Sequence, residues 1–152
     1  MNSSRRMVIS SAPGRAGVIG NPTDMYGGSV LSCSVGMRSR VTITSLEETS
    51  GDGPDLWLET AGETCHIAGR DDLKPERDRF DVARAVLDYL RLPPIACHIQ
   101  YESEIPLRSG MAGSTALTVA LLQALLAWLG ERPNLYRLAE QARYVELNYL
   151  KV

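Results

Sequence analysis

The sequence predicts an α+β fold: a mostly antiparallel sheet with helices packed on one of its sides. Segments that alternate apolar and polar residues with period two, such as Val41 and Ile43 between Thr42 and Thr44, come mostly first. Segments with helical apolar spacing come mostly later, an order that fits helices grouped against one sheet. The 152 residues, 44% apolar and 22% charged, suit one domain with a real core.

Residues 7–11 read as a strand closed by Ala12-Pro13-Gly14, and a glycine-bearing loop follows from Pro13 to Gly28. Residues 29–35 and 38–46 read as two strands, 47–55 as a charged turn, and 56–59 with 64–67 as a hairpin. Residues 69–79 form a charged connection. Asp81 is placed to cap a helix over 81–90, in which Val82, Val86, Leu87 and Leu90 share a face and which Pro93-Pro94 stops. Residues 96–101 alternate as a strand. A second loop then leads into a helix over 113–129, apolar nearly all round and so expected to be covered on several sides. Gly130 and Pro133 separate it from a last helix over 135–150, with Leu135, Leu138, Ala139, Ala142, Val145 and Tyr149 as its apolar face. That helix runs to Lys151-Val152 with no glycine, proline or polar tail, so a further domain is expected after Val152, on this chain or a second one.

The net charge of −2 offers no general attraction to nucleic acid or to a membrane surface. Lysine occurs only at 74 and 151, so the cations are mostly arginine. Cys33, Cys65 and Cys97 are widely spaced, form no C-x-x-C pair, and read as small buried hydrophobes in a reducing compartment. His66 and His98 stand alone on strand-like segments and suggest no metal centre. No apolar segment of signal-peptide length follows Arg5 and Arg6. The apolar run 116–129 is too short and too mixed to span a bilayer. The expected location is the cytoplasm.

The stretch Ile105-Pro-Leu-Arg-Ser-Gly110-Met-Ala-Gly113-Ser114-Thr115-Ala116 carries the most chemistry. Backbone N–H groups at a helix start lack partners within the helix, and the helix dipole adds positive charge there. Gly110 and Gly113 let the backbone come close to a ligand, which makes an anion site, most naturally for phosphate. A Walker loop is excluded because no lysine lies near. Gly14, Gly17 and Gly20 have a dinucleotide-like spacing, but Pro22 and Gly27-Gly28 forbid the helix that fingerprint needs. Glu102 and Glu104 share a face at a strand end, either as a solvated edge or as a metal pair. Trp57 and Tyr89 read as core packing or as stackers for a ring.

Taken together, the two loops resemble a known family. Pro13-Gly-Arg-Ala-Gly-Val-Ile-Gly-Asn-Pro-Thr-Asp24-Met-Tyr-Gly-Gly28 resembles the first motif of the GHMP kinases, which include galactokinase, homoserine kinase, mevalonate kinase and phosphomevalonate kinase. Pro106 to Ala116 resembles their ATP phosphate loop. Asn21-Pro22 and Gly113-Ser114 are most similar to the glucuronokinase-like branch. The resemblance implies an N-terminal domain like domain 2 of a ribosomal small-subunit protein, followed in the family by a ferredoxin-like second domain. It also implies transfer of the ATP γ-phosphate to a small-molecule hydroxyl with Mg²⁺.

Roles follow position by position as implications of the resemblance. Ser109, Gly110, Met111, Ala112, Gly113, Ser114 and Thr115 would wrap the ATP phosphates. Ser114 and Glu146 would contact Mg²⁺, although galactokinase and mevalonate kinase carry their metal-contacting serine where this chain has Gly113. Arg15 would sit near the transferred phosphoryl group as the catalytic cation. Asn21, Asp24 and Tyr26 would meet the substrate, and Asn21-Pro22 in place of the Glu-His of galactokinase argues against galactose. The aspartate that many members use to orient the attacking hydroxyl has no counterpart in these 152 residues. The chain alone is therefore expected to be inactive, a sugar or sugar-acid kinase represented by its ATP-binding half. The alternatives are a non-catalytic ligand-binding module and a mevalonate-pathway kinase. An uncovered domain face would invite self-association.

Overall fold

A computed structural model describes residues 6–46, 55–92, 95–106 and 108–151, apart from the side chains of Asp24 and Met25. Residues 47–54 of the turn expected over 47–55, and the stop at Pro93-Pro94, lie outside the described residues. Five strands form one sheet: β1 (Met7–Ile19), β2 (Leu31–Ser45), β3 (Leu56–Thr60), β4 (Glu63–Ile67) and β5 (Cys97–Ser103). Their spatial order is β1-β2-β5-β3-β4. Every neighbouring pair is antiparallel except β3 with β5. The helices are α1 (Asp81–Leu90), α2 (Gly113–Trp128) and α3 (Leu135–Val145), the last continued by one π-helical turn, Glu146–Leu150. Short 3₁₀ turns lie at Thr23–Tyr26 and Arg70–Leu73.

The α+β expectation holds, and the alternation of the strands explains it. Val41, Ile43, Leu56, Leu58, Ile67, Cys97, Ile99 and Tyr101 are buried, while their neighbours Thr42, Trp57 and His98 are not. One face of the sheet therefore holds the core, and the helices cover it. Ala120, Leu121, Leu122, Ala124 and Leu125 of α2 are fully buried against β1 and β2, and α1 and α3 flank that helix. Each large aliphatic side chain so buried contributes about 1.5–3 kcal/mol. Burial also pushes the Cys97 thiol up to about 12.

Several boundaries differ from the expectation. β1 does not stop at Ser11 but continues to Ile19, so much of the expected first loop is strand. The stretch is an edge strand, where a proline and glycines are tolerated, and its pairing with β2 shifts register between Pro13 and Arg15 and between Gly17 and Ile19. β2 runs unbroken where two strands were expected. Asp81 is the first residue of α1 rather than its cap; its carboxylate accepts the N–H groups of Glu76 and Arg77 and so orders the preceding loop. In α3 only Leu138, Ala142 and Val145 are buried; Leu135 and Ala139 face solvent, because α3 packs on one side only. Cys33 is exposed, contrary to the buried reading.

Helix ends are closed by specific contacts. The Asn134 side chain accepts the Arg137 N–H at 2.8 Å, capping α3. Arg6 donates to the carbonyls of Ala127 and Trp128 and lies 4.4 Å from the Trp128 ring, placing positive charge at the C-terminal end of α2. Among the described residues, no helix is long and apolar enough to cross a membrane.

Two substitutions test this packing. Leu125→Ala is expected to lower unfolding free energy in urea by about 2–5 kcal/mol, and Asn134→Ala by roughly 0.5–2 kcal/mol.

Candidate functional site

The loop between β5 and α2 has an unusual backbone. Arg108, Gly110 and Ala112 have φ of 57°, 73° and 55°, and the residues between them, Ser109 and Met111, do not have positive φ. Alternating handedness turns successive N–H groups toward one side and makes a concavity suited to an anion. α2 then starts after Ala112 with no side-chain cap, so its first N–H groups face the same concavity.

The loop is held from both sides. The Arg15 N–H donates to the Met111 carbonyl at 2.9 Å, which ties β1 to the loop. At Gly14 a Cβ would lie 2.9 Å from both the Met111 carbonyl oxygen and a Val35 methyl, so no larger residue fits without moving the loop. Below, buried Ile105 fills the space under Gly113, where a Cβ would meet its Cγ2 at 3.3 Å. That packing accounts for glycine where the resemblance led one to look for serine.

Thr115 Oγ1 donates to Glu146 Oε1 at 2.6 Å, joining the first turn of α2 to the π-helical turn. Ser114 is exposed and makes no hydrogen bond among the described residues; the hydroxyl beside Glu146 is that of Thr115. The Arg15 guanidinium is partly buried, with Nη1 shielded from water and lacking a hydrogen-bond partner. Asn21 and Tyr26 lie at the exposed tip of the β1–β2 hairpin, and no hydrogen bond joins either to the loop among the described residues. Asp24 is on the same 3₁₀ turn, and its side chain lies outside the described residues. The structure therefore joins the Arg15 backbone to the loop and, through Thr115, the start of α2 to Glu146; the Arg15 Nη1 lies near Gly17 on the side where Asn21 packs, and Tyr26 stays at the exposed tip of the hairpin.

A cavity of about 490 Å³ opens beside the loop, lined by Ser109, Gly110 and Ser114 on one side and by Asp78, Arg79 and Tyr101 on another. Its far wall depends on Arg84, which the sequence reading did not single out. This buried arginine bonds Asp78 at 2.7 Å, Glu76 at 3.1 Å and Asp81 at 3.2 Å, and donates to Cys65 Sγ. Burial works against its charge, but the bonds to Asp78 and Cys65 outweigh it and raise its pKa further. The Tyr101 hydroxyl donates to the Arg79 carbonyl at 3.1 Å, and burial raises its pKa. The signal that could have found Arg84 was an arginine on the apolar face of a helix with Glu76, Asp78 and Asp81 just upstream.

Other candidates resolve locally. Glu102 pairs with Arg40, and Glu104 accepts the Arg38 N–H. His66 pairs with Asp55 and His98 with Glu59. No group of three or more His, Cys, Asp or Glu that could hold a metal occurs among the described residues. Trp57 is 37% exposed and stacks on His66 on the open face of the sheet, so it is neither core nor beside the loop. Tyr89 packs with Tyr144 and Tyr149.

Comparison with known proteins adds identity to this geometry. Residues 79–152 match the GHMP kinases N terminal domain, and residues 2–45 match the galactokinase galactose-binding signature. The chain is 26% identical over 149 residues to D-glycero-alpha-D-manno-heptose 7-phosphate kinase of Campylobacter jejuni, covering 93% of this chain and 43% of that protein. It is 28% identical over 140 residues to mevalonate kinase of Methanothermobacter thermautotrophicus, covering 91% of this chain and 42% of that protein. Among solved structures, a D-glycero-D-manno-heptose 1-phosphate kinase of Bacteroides thetaiotaomicron superposes with a TM-score of 0.78 at 24% identity, over 95% of this chain and 49% of that one. The chain thus spans less than half the length of the relatives it matches.

The close approach at Gly14 gives a direct test. Gly14→Ala is expected to cost about 1–3 kcal/mol of stability in chemical denaturation and to shift the amide resonances of residues 109–113 in NMR spectra.

Proposed function

The chain belongs to the GHMP kinase family, and on that premise we propose that it is the ATP-binding half of a small-molecule kinase acting on a sugar or sugar acid. The observation that carries the proposal is the alternating-handed loop 108–112, docked on β1 through Arg15 and Met111, at the uncapped start of α2. Backbone N–H groups of residues 109–115 would hold the ATP phosphates, and the cavity running to Asp78 and Arg79 would take the adenosine end.

The residues present fit a hard divalent cation. Thr115 offers a hydroxyl and Glu146 a carboxylate, the oxygen donors Mg²⁺ prefers, and Mg²⁺ commonly takes only one or two protein ligands with phosphates and water. When bound, Mg²⁺ neutralises charge on the triphosphate. Arg15, whose backbone is docked on the loop, would hold negative charge on the phosphoryl group as it transfers. Asn21, Asp24 and Tyr26 at the hairpin tip would receive the acceptor, whose hydroxyl attacks the γ-phosphorus. Most catalysis in phosphoryl transfer is positioning and electrostatics, so this half would supply much of the machinery but not the group that orients the acceptor hydroxyl. Activity then requires a second half, from further residues or another chain, in a cytoplasmic enzyme.

Two observations favour a sugar-type acceptor: the match to a galactose-binding signature and the similarity to a heptose-phosphate kinase. Asn21-Pro22 in place of Glu-His disfavours galactose itself. A mevalonate-type acceptor is the second reading, favoured by the similarity to a mevalonate kinase.

Calorimetric titration of this chain with a non-hydrolysable Mg-ATP analogue is expected to show one site. Glu146→Gln is expected to weaken that binding roughly tenfold or more while leaving Mg²⁺-free nucleotide binding unchanged. Absence of nucleotide binding both alone and with the second half supplied would refute the kinase reading. A coupled assay of the completed protein on sugars, sugar acids, heptose phosphates and mevalonate would identify the acceptor. Turnover by the 152-residue chain alone would overturn the requirement for a second half.

A further inference from the structure

A second cavity, also of about 490 Å³, lies in the groove between the end of α1 and the outer side of α3. None of its lining residues is shared with the cavity beside the phosphate loop. Its floor is aromatic. The Tyr89 ring lies 5.6 Å from that of Tyr144 and 6.1 Å from that of Tyr149, and Tyr144 is 52% exposed. The three phenol groups make no hydrogen bond among the described residues.

The rim is positive. Arg91, Arg137 and Arg143 line the groove with a single carboxylate, Glu140, which pairs with Arg143 at 3.3 Å. Arg137 has only a 4.0 Å contact to Glu131, and Arg91 forms no ion pair among the described residues. Two guanidinium groups are thus available in a chain whose net charge is −2.

We infer that this groove is a ligand site for a planar anion: a ring stacked on the exposed Tyr144, and a phosphate or carboxylate held by Arg91 and Arg137. Arginine suits the anionic end because its fork matches phosphate and carboxylate oxygens, and tyrosines suit the ring because they offer a large rigid face. The volume is in the range of small-ligand pockets and accommodates a mononucleotide. The inference does not depend on the kinase reading.

The test uses AMP as probe, followed by amide NMR on the ¹⁵N-labelled chain. AMP is expected to shift the resonances of Arg91, Gln141 and Tyr144 as a set, separately from any shifts in residues 108–115. Arg91→Ala and Tyr144→Ala, both at exposed positions, are each expected to weaken the groove set by roughly tenfold or more without altering the loop set. The inference is overturned if millimolar AMP shifts only the loop, if the variants leave the groove titration unchanged, or if inorganic phosphate binds the groove as tightly as AMP.

Discussion

The backbone contact between Arg15 and Met111 is the constraint on which the rest of the site depends. It joins the edge strand to the loop that precedes α2, and it is possible only because Gly14 has no side chain to strike the Met111 carbonyl. One hydrogen bond of this kind is worth about 1 kcal/mol net, so energy alone is not its importance. Its effect is geometric. A loop with three residues at positive φ would otherwise sample other shapes; docked on β1 above and on Ile105 below, it keeps its N–H groups converged. The same contact fixes the Arg15 backbone against the loop, while its guanidinium runs along the edge strand toward Gly17 and Asn21.

Arg84 plays a comparable part on the other side of the cavity. A guanidinium with 3% of its side chain exposed is expensive to bury unless its donors are met. Here carboxylates from Glu76, Asp78 and Asp81, with the Cys65 sulfur, meet them and draw residues 76–81 toward the middle of β4. Asp78 and Arg79 consequently form a fixed wall rather than a free loop. The charge is spent on shape: its three carboxylates face both the arginine and solvent, so the cluster anchors a connection that has few apolar residues of its own.

How legible this was in the sequence depended on whether periodicity or close contact decided the structure. α1 and the β3–β4 hairpin follow from spacing, because Val86 and Leu87 or Leu56 and Leu58 bury by period alone. The glycines of 13–20 misled, because Pro-Gly reads as a turn while the requirement it meets is contact with Met111, almost a hundred residues away. That a tight loop leads into α2 was readable from Gly110, Gly113 and the apolar helix that follows. Which hydroxyl meets Glu146 was not, because neighbouring residues on a helix point about 100° apart and the direction of Glu146 is set by the π-helical turn after α3.

That last point bears on how the site works. A side chain at 113 would point at Ile105, into the packing beneath the loop. Two positions on, roughly 200° around the helix, Thr115 points away from Ile105 and meets Glu146 instead. Ile105 below the loop thus favours glycine at 113, while Ser114 presents its hydroxyl to the cavity and Thr115 presents its own to Glu146. The π-helical turn completes the pairing by carrying Glu146 to that side. Under the proposed function, a cation held there would lie between the helix start and the last turn of the chain described here, so the affinity for Mg-nucleotide would report on how firmly α3 and its π-helical extension are seated against α2.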